Sequence, residues 1–364
     1  MKKIPSLLII ISVITALMGC GSEEKTVKGI DNKTETKETS ETEEDVETLN
    51  GHTAEVVNFG LCSVSGTNVV DGVLGVAVSE GFFKEELDKI GVKIEFFGLS
   101  GAGPAVNEAM ASGDLDVGMI GEFAAITAKA SGVDTTLLCN DATPTPTSVI
   151  VAKDSDIKEL KDLIGKKVAY PKGTCNQQIF INLLKKEGIS IDEINVVNAT
   201  YADMPTLLLA GEVDAIVSVN VDAIVSLVKD GSLRFLVNGN ENEDCIAYGN
   251  LVIRTEFLQE NPDIAIALLK GYKKAIEYAN TDSEILKNQW VSSGAEKDIF
   301  DFLWPDGIVT DSELVVTEEK RTAKQEVVQF MLENELISDE VEVDDWYNPV
   351  YAQQAEKELE DEKE

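Results

Sequence analysis

The chain's stock of nucleophiles and bases is small: five cysteines and a single histidine, His52, among 364 residues. Apart from Cys20, the thiols Cys62, Cys139, Cys175 and Cys245 stand far apart, with no C-x-x-C pair and no Cys/His spacing that would hold a metal. His52 lies ahead of the first strand-like run, so Ser-His or Cys-His chemistry has no base, and no cofactor is called for. The four thiols permit more than one disulfide pairing, or they remain free as small apolar groups. What is left for chemistry is a set of polar glycine corners. In AYPKGTCNQQIF, 169–180, a strand-like run turns at Lys172-Gly173-Thr174 and a helix begins. A helix start leaves about four N–H groups unpartnered and carries about half a positive charge, so it binds an anion without lysine or arginine. Gly173 lets the backbone approach closely, Thr174 caps or donates its hydroxyl, and Cys175 and Asn176 follow. The plainer alternative is an N-cap in a surface turn.

Two further corners read the same way. LSGAGP, with Ser100, Gly101, Gly103 and Pro104, makes a helix start, and it lacks the third glycine of a dinucleotide fingerprint. Ser63, Ser65 and Asn68 sit in a polar loop that is equally ordinary turn chemistry. Gly121-Glu122 opens the helix EFAAITAKA; there Glu122 either points to solvent, favoured by the dipole, or faces a cleft and pairs with a ligand amine.

The elements that must position these corners alternate. EVVNFGLCSV, VKIEFFGLS, LDVGMIG and TTLLCND read as strands separated by helical periodicity, and a second strand-helix series follows the turn-rich DATPTPT. The pattern predicts an α/β fold of two lobes, with ligands at the carboxyl ends of the strands. Lobe 1 is expected over 54–146 and again over 247–345, with lobe 2 over 147–246 and the chain crossing near 145 and 246. An acidic tail is expected over 346–364, although Trp346, Tyr347, Val350 and Tyr351 suggest that its first part docks.

Ahead of the lobes, residues 1–20 carry a basic start, an apolar run of about 15 residues and Leu17-Met18-Gly19-Cys20, an export signal rather than a membrane span. Residues 21–53 are polar and acidic, and are expected to form a disordered tether. A net charge of −35 argues against nucleic acid and anionic lipid headgroups as partners.

The first segment resembles a bacterial lipoprotein signal with LMGC as its lipobox, which implies a lipid on Cys20 and a place at the outer face of the cell membrane. The body resembles the type II periplasmic-binding-protein fold, in the branch of aliphatic sulfonate, taurine and nitrate receptors of ABC importers. The resemblance is carried by VAVSEGFFKEE, LSGAGPAVNEAMASGDLDVGMIGEFAAITAKASG, IKELKDLIGKKVAYPKGT, YADMPTLLLAGEVDAIVSV and FLQENPDIAIALLKGYKKAIEYA. It implies a monomeric receptor, not an enzyme, that closes on a small anionic or zwitterionic solute and delivers it to a permease and its ATPase. The implied site comprises Ser63, Ser65, Asn68, Ser100, Gly101, Gly121, Glu122, Gly173, Thr174, Cys175, Asn176 and Asn220. Where the family often has Trp-Asp-Pro this chain has Val219-Asn220-Val221, which opens the choice of solute. A pyrimidine or thiamine-precursor ligand would want stacking aromatics, for which Tyr170 and Phe123 are the obvious candidates. The alternatives from another class are an enzyme and a surface sensor or adhesin on the same fold.

Overall fold

Along β1 (Val56–Cys62) the side chains of Val57, Phe59 and Leu61 are fully buried on one face, while Gly60 sits on the other. A Cβ at Gly60 would lie 2.5 Å from Leu115 Cδ1, so glycine lets a second layer approach the strand. The computed structural model describes residues 49–62, 68, 70–99 and 102–364. The first sheet has the order β2-β1-β3-β11-β4, where β2 is Lys93–Leu99, β3 Val117–Gly121, β4 Thr135–Asn140 and β11 Gly249–Arg254. β1 runs parallel to β2 (Phe59 opposite Phe96) and to β3 (Phe59 opposite Val117), whereas β11 is antiparallel to β3 and β4.

Helices cover both faces of this sheet. On one side lie α1 (Gly72–Ser79), α2 (Phe82–Lys89) and the long α9 (Pro262–Ala279), joined by Phe59, Phe83 and Tyr272. On the other lie α3 (Ala102–Ser112), α4 (Glu122–Ala130) and, from the C-terminal part, α12 (Glu318–Glu333) and α13 (Val343–Trp346). The short α8 (Thr255–Glu260) leads from β11 into α9.

The second sheet runs β10-β5-β8-β6-β7, with β9 also paired to β5. Its strands are β5 (Thr145–Ala152), β6 (Lys167–Tyr170), β7 (Asn195–Asn198), β8 (Ala215–Val219), β9 (Leu233–Val237) and β10 (Ile246–Ala247), with α5 (Cys175–Lys186), α6 (Met204–Leu209) and α7 (Asp222–Lys229) packed against them. The chain passes from the first sheet to the second through 141–144, between β4 and β5, and back at Tyr248, between β10 and β11.

A further strap spans the lobes. α10 (Glu284–Ser292) is tied to lobe 1 through Gln289, whose Nε2 donates to the Val70 carbonyl at 2.8 Å and whose Oε1 accepts from Ser79 Oγ at 2.9 Å. α11 (Lys297–Leu303) packs on α7 of lobe 2, where Ile299, Phe300 and Leu303 meet Val225, Lys229 pairs with Asp298, and the Glu296 N–H donates to Asp222 Oδ2 at 3.1 Å.

Both ends of the folded body differ from expectation. His52 Nδ1 lies 2.7 Å from Asp263 Oδ2, Leu49 is buried, and the Thr53 and Ala54 N–H groups both donate to Asn261 Oδ1, so 49–53 are docked rather than tether. The expected acidic tail is instead helix α14 (Pro349–Asp361), which lays Tyr351, Ala352 and Ala355 against α9 and lobe 1 and also buries Leu359. Its charge is offset locally. Buried Lys270 donates to Glu358 Oε2 at 3.0 Å and to Glu362 Oε1 at 2.7 Å. Among the described residues no helix is long and apolar enough to cross a membrane.

Candidate functional site

A cavity of 320 Å³ lies where β1 ends at Cys62, β3 at Gly121 and β8 at Val219. Both crossings contribute to its wall, through Asp141 and Thr145 on the way out and Ala247, Tyr248 and Gly249 on the way back. The starts of α1, α3, α4 and α5 all reach it, through Asp71, Gly103 and Pro104, Glu122, and Thr174 with Cys175. A second chamber of 590 Å³ shares Asp71, Thr145, Tyr201 and Val219 with the first and is walled by Trp290, Trp304, Leu286 and Ile308 from the strap.

Asp71 occupies the N-cap position of α1, yet its side chain makes no cap bond. Thr143, in the outgoing crossing, does that work, its Oγ1 accepting the Val73 N–H at 2.8 Å. Gly72 makes this close fit possible: its φ is +66°, and a Cβ there would lie 2.6 Å from Thr143 Oγ1. The Asp71 side chain is therefore left at the cavity wall, crowded by its neighbours yet exposed to solvent. Burial, then repulsion from Asp141 and Asp222, pushes its carboxyl up to about 6. Asp141 Oδ1 accepts from Tyr272 OH at 2.5 Å and from the Thr143 N–H at 3.1 Å, and burial still raises its carboxyl above the usual range.

Glu122 lines the cavity, and its charge is met internally: Lys324, buried on α12, pairs with it and also donates to Asn250 Oδ1 at 2.7 Å. Of the other residues expected at the site, Gly121, Gly173, Thr174 and Cys175 line the same cavity. Gly173 has φ +74°, and its N–H donates to Gln177 Oε1 at 2.9 Å. The Thr174 hydroxyl does not cap α5; it donates to the Pro171 carbonyl at 2.7 Å.

Asn176 is fully buried, donating to Thr174 Oγ1 at 3.1 Å and to Tyr201 OH at 2.7 Å, so its amide braces the corner instead of facing the cavity. Asn220 lines the second chamber, but its amide is taken by Ser148 Oγ, at 2.9 Å, and by Asn240. Asn68 is exposed and bonds the backbone of Phe96 and Gly98 on β2, away from the cavity. Ser63, Ser65, Ser100, Gly101 and Cys20 lie outside the described residues.

The four described cysteines are free. Burial pushes the Cys62 thiol up to about 12 and that of Cys175 up to about 11, so neither cavity-lining thiol is primed as a nucleophile. Of the aromatics proposed for stacking, Tyr170 is core, its ring 5.8 Å from that of Phe180, while Phe123 is buried at the cavity wall. Sequence reasoning missed Asp71, Asp141, Tyr201, Tyr248, Trp290 and Trp304. The two crossings held the available signal, since segments joining two lobes must pass beside the cleft. The tryptophans offered none, because their place depends on where the strap folds back.

Residues 72–284 match the family model described as NMT1/THI5 like. A Bacillus subtilis (strain 168) protein named for binding aliphatic sulfonates is 26% identical over 203 residues, 55% of this chain and 60% of that relative. The chain thus spans well under two thirds of that relative's length. The crystal structure of a Methylobacillus flagellatus KT protein, named as the periplasmic sulfonate-binding component of an ABC transporter, superposes with a TM-score of 0.70 at 25% identity, covering 85% of this chain and 96% of that one. A desulfurization enzyme shares the fold at 15% identity and a TM-score of 0.63, covering 84% of this chain and 99% of its own. The two-lobed α/β arrangement expected from the sequence is therefore the periplasmic-binding-protein fold.

Proposed function

The chain belongs to the NMT1/THI5-like family, and from that premise we propose that it is the solute receptor of an ABC importer, anchored by lipid on Cys20 at the extracytoplasmic face of the membrane. It captures a small solute between its lobes and hands it to a permease and its ATPase. The observation that carries this reading is a cavity at the carboxyl ends of strands from two sheets, with residues from four helix starts in its wall. A micromolar receptor needs about 8 kcal/mol, and a desolvated helix terminus contributes up to about 2, so several must converge, as they do here.

The relatives' names bring the sulfonate class to this chain, with taurine and nitrate as neighbouring options. A flat pyrimidine-type solute is the second reading, favoured by Trp290 and Trp304 beside the second chamber. Enzyme chemistry finds little support: His52 is engaged with Asp263, and the cavity thiols are held protonated. The test is a thermal-shift panel of alkanesulfonates, taurine, nitrate, amino acids and pyrimidines on the purified full chain. A solute at 100 times its Kd adds about 2.7 kcal/mol, readily seen as a rise in Tm. No shift with any member refutes the receptor reading.

A further inference from the structure

The wall of the 320 Å³ cavity carries three carboxylates, Asp71, Asp141 and Glu122, and among the described residues no lysine, arginine or histidine. Glu122 has Lys324 behind it; Asp71 and Asp141 have no ion pair among the described residues, and the donors that meet Asp141, from Tyr272, Thr143 and the Ala142 backbone, are neutral. Asp71 stands where the two chambers meet, and Asp222 lines the second. A plain anion entering this space would find helix starts on one side and two uncompensated carboxylates on the other, and the like charges would cancel much of the attraction. A second, separate feature also asks for a guest. Trp290, nine-tenths buried in the wall of the second chamber, has a buried indole N–H without a partner among the described residues.

We infer that the occupant carries a protonated nitrogen seated at Asp71 and Asp141, with an acceptor-bearing remainder that reaches the helix starts or the Trp290 chamber. This deepens the receptor reading and rests on it: the same cleft selects a zwitterion or an amine over a simple sulfonate or nitrate.

The test uses matched probes that differ in one nitrogen, taurine against ethanesulfonate and 2-phenylethylamine against 2-phenylethanol, titrated calorimetrically into the full chain at pH 8. In at least one pair the amine binds more tightly by about tenfold or more, and Asp71→Asn removes most of that advantage by weakening the amine, while ethanesulfonate, freed of one like charge, binds as tightly as before or more tightly. Asp141→Asn does the same more weakly, and circular dichroism verifies that both variants are folded. If the nitrogen-free member binds as tightly as its amine, or folded Asp71→Asn retains the advantage, the amine subsite is wrong and the receptor reading stands. If no member of either pair binds, and the broader panel is also flat, both fall.

Discussion

Asp71→Asn should stabilise the empty protein, by an amount that grows from about pH 4 and is complete above about pH 6. The folded-state carboxyl is raised to about 6 from its ordinary value near 3.8, by burial first and then by Asp141 and Asp222. For an acid shifted upward, the native state holds a proton that the unfolded chain has released, so stability is greatest below about pH 4 and declines as pH rises to about 6. Two units of difference would correspond to about 3 kcal/mol for a carboxylate cut off from solvent. Asp71 opens onto the cavity, and screening there brings the figure to about 1 kcal/mol. An asparagine of the same shape removes this cost, and for a chain of this size the gain corresponds to a rise in Tm of about 2 °C. The assay is calorimetry of wild type and variant from pH 4 to pH 8 without solute. The two curves coincide at pH 4 and separate through the window from about 4 to 6, the variant lying higher. A variant less stable at pH 8, or an offset that does not change with pH, would refute the assignment of an uncompensated carboxylate.

Other perturbations probe the frame around the cleft. Lys324→Met strands Glu122 in the cavity wall and costs about 3 kcal/mol or more in urea denaturation; adding Glu122→Gln recovers at least about 1 kcal/mol, and strictly additive losses would deny the pairing. Gly72→Ala must hold φ +66° with a Cβ 2.6 Å from Thr143 Oγ1, at a cost of about 2 kcal/mol; an unchanged Tm would mean that α1 starts differently. A chain ending at Asn348 loses the buried Tyr351 and Leu359 and leaves Lys270 without Glu358 and Glu362, for about 4 kcal/mol, whereas a free tail would be removed without effect.

The local rules read well in this chain. Alternation in EVVNFGLCSV and helical spacing in PDIAIALLKGYKKAIEYA are properties of short windows, and they placed β1 and α9 without reference to anything distant. The glycine corners at Gly121 and Gly173 were visible for the same reason. What escaped depended on convergence. Asp71 and Asp141 are 70 residues apart in sequence and acquire meaning only when the outgoing crossing lies over the start of α1. Asn176 and Asn220 looked available because the sequence does not disclose that Tyr201, Ser148 and Asn240 consume their amides. In the last helix, Tyr351, Ala352, Ala355 and Leu359 form an apolar stripe at helical spacing, but it lies inside so acidic a segment that composition argued for solvent. Docking prevails there because Lys270 and Lys89 supply the opposing charge.

On the proposed receptor reading, the strap between Gln289 and Asp298 sets a condition on how fast a guest could leave. Any parting of the lobes that pulls α11 away from α7 must separate Lys229 from Asp298 and Glu296 from Asp222, contacts that lie in reach of bulk electrolyte. Such contacts are screened within about 10 Å at 0.1 M salt, far more than anything inside the closed cleft. If the proposed receptor opens along this seam, salt weakens the polar part of the latch, while the apolar contact of Ile299, Phe300 and Leu303 with Val225 is left unscreened.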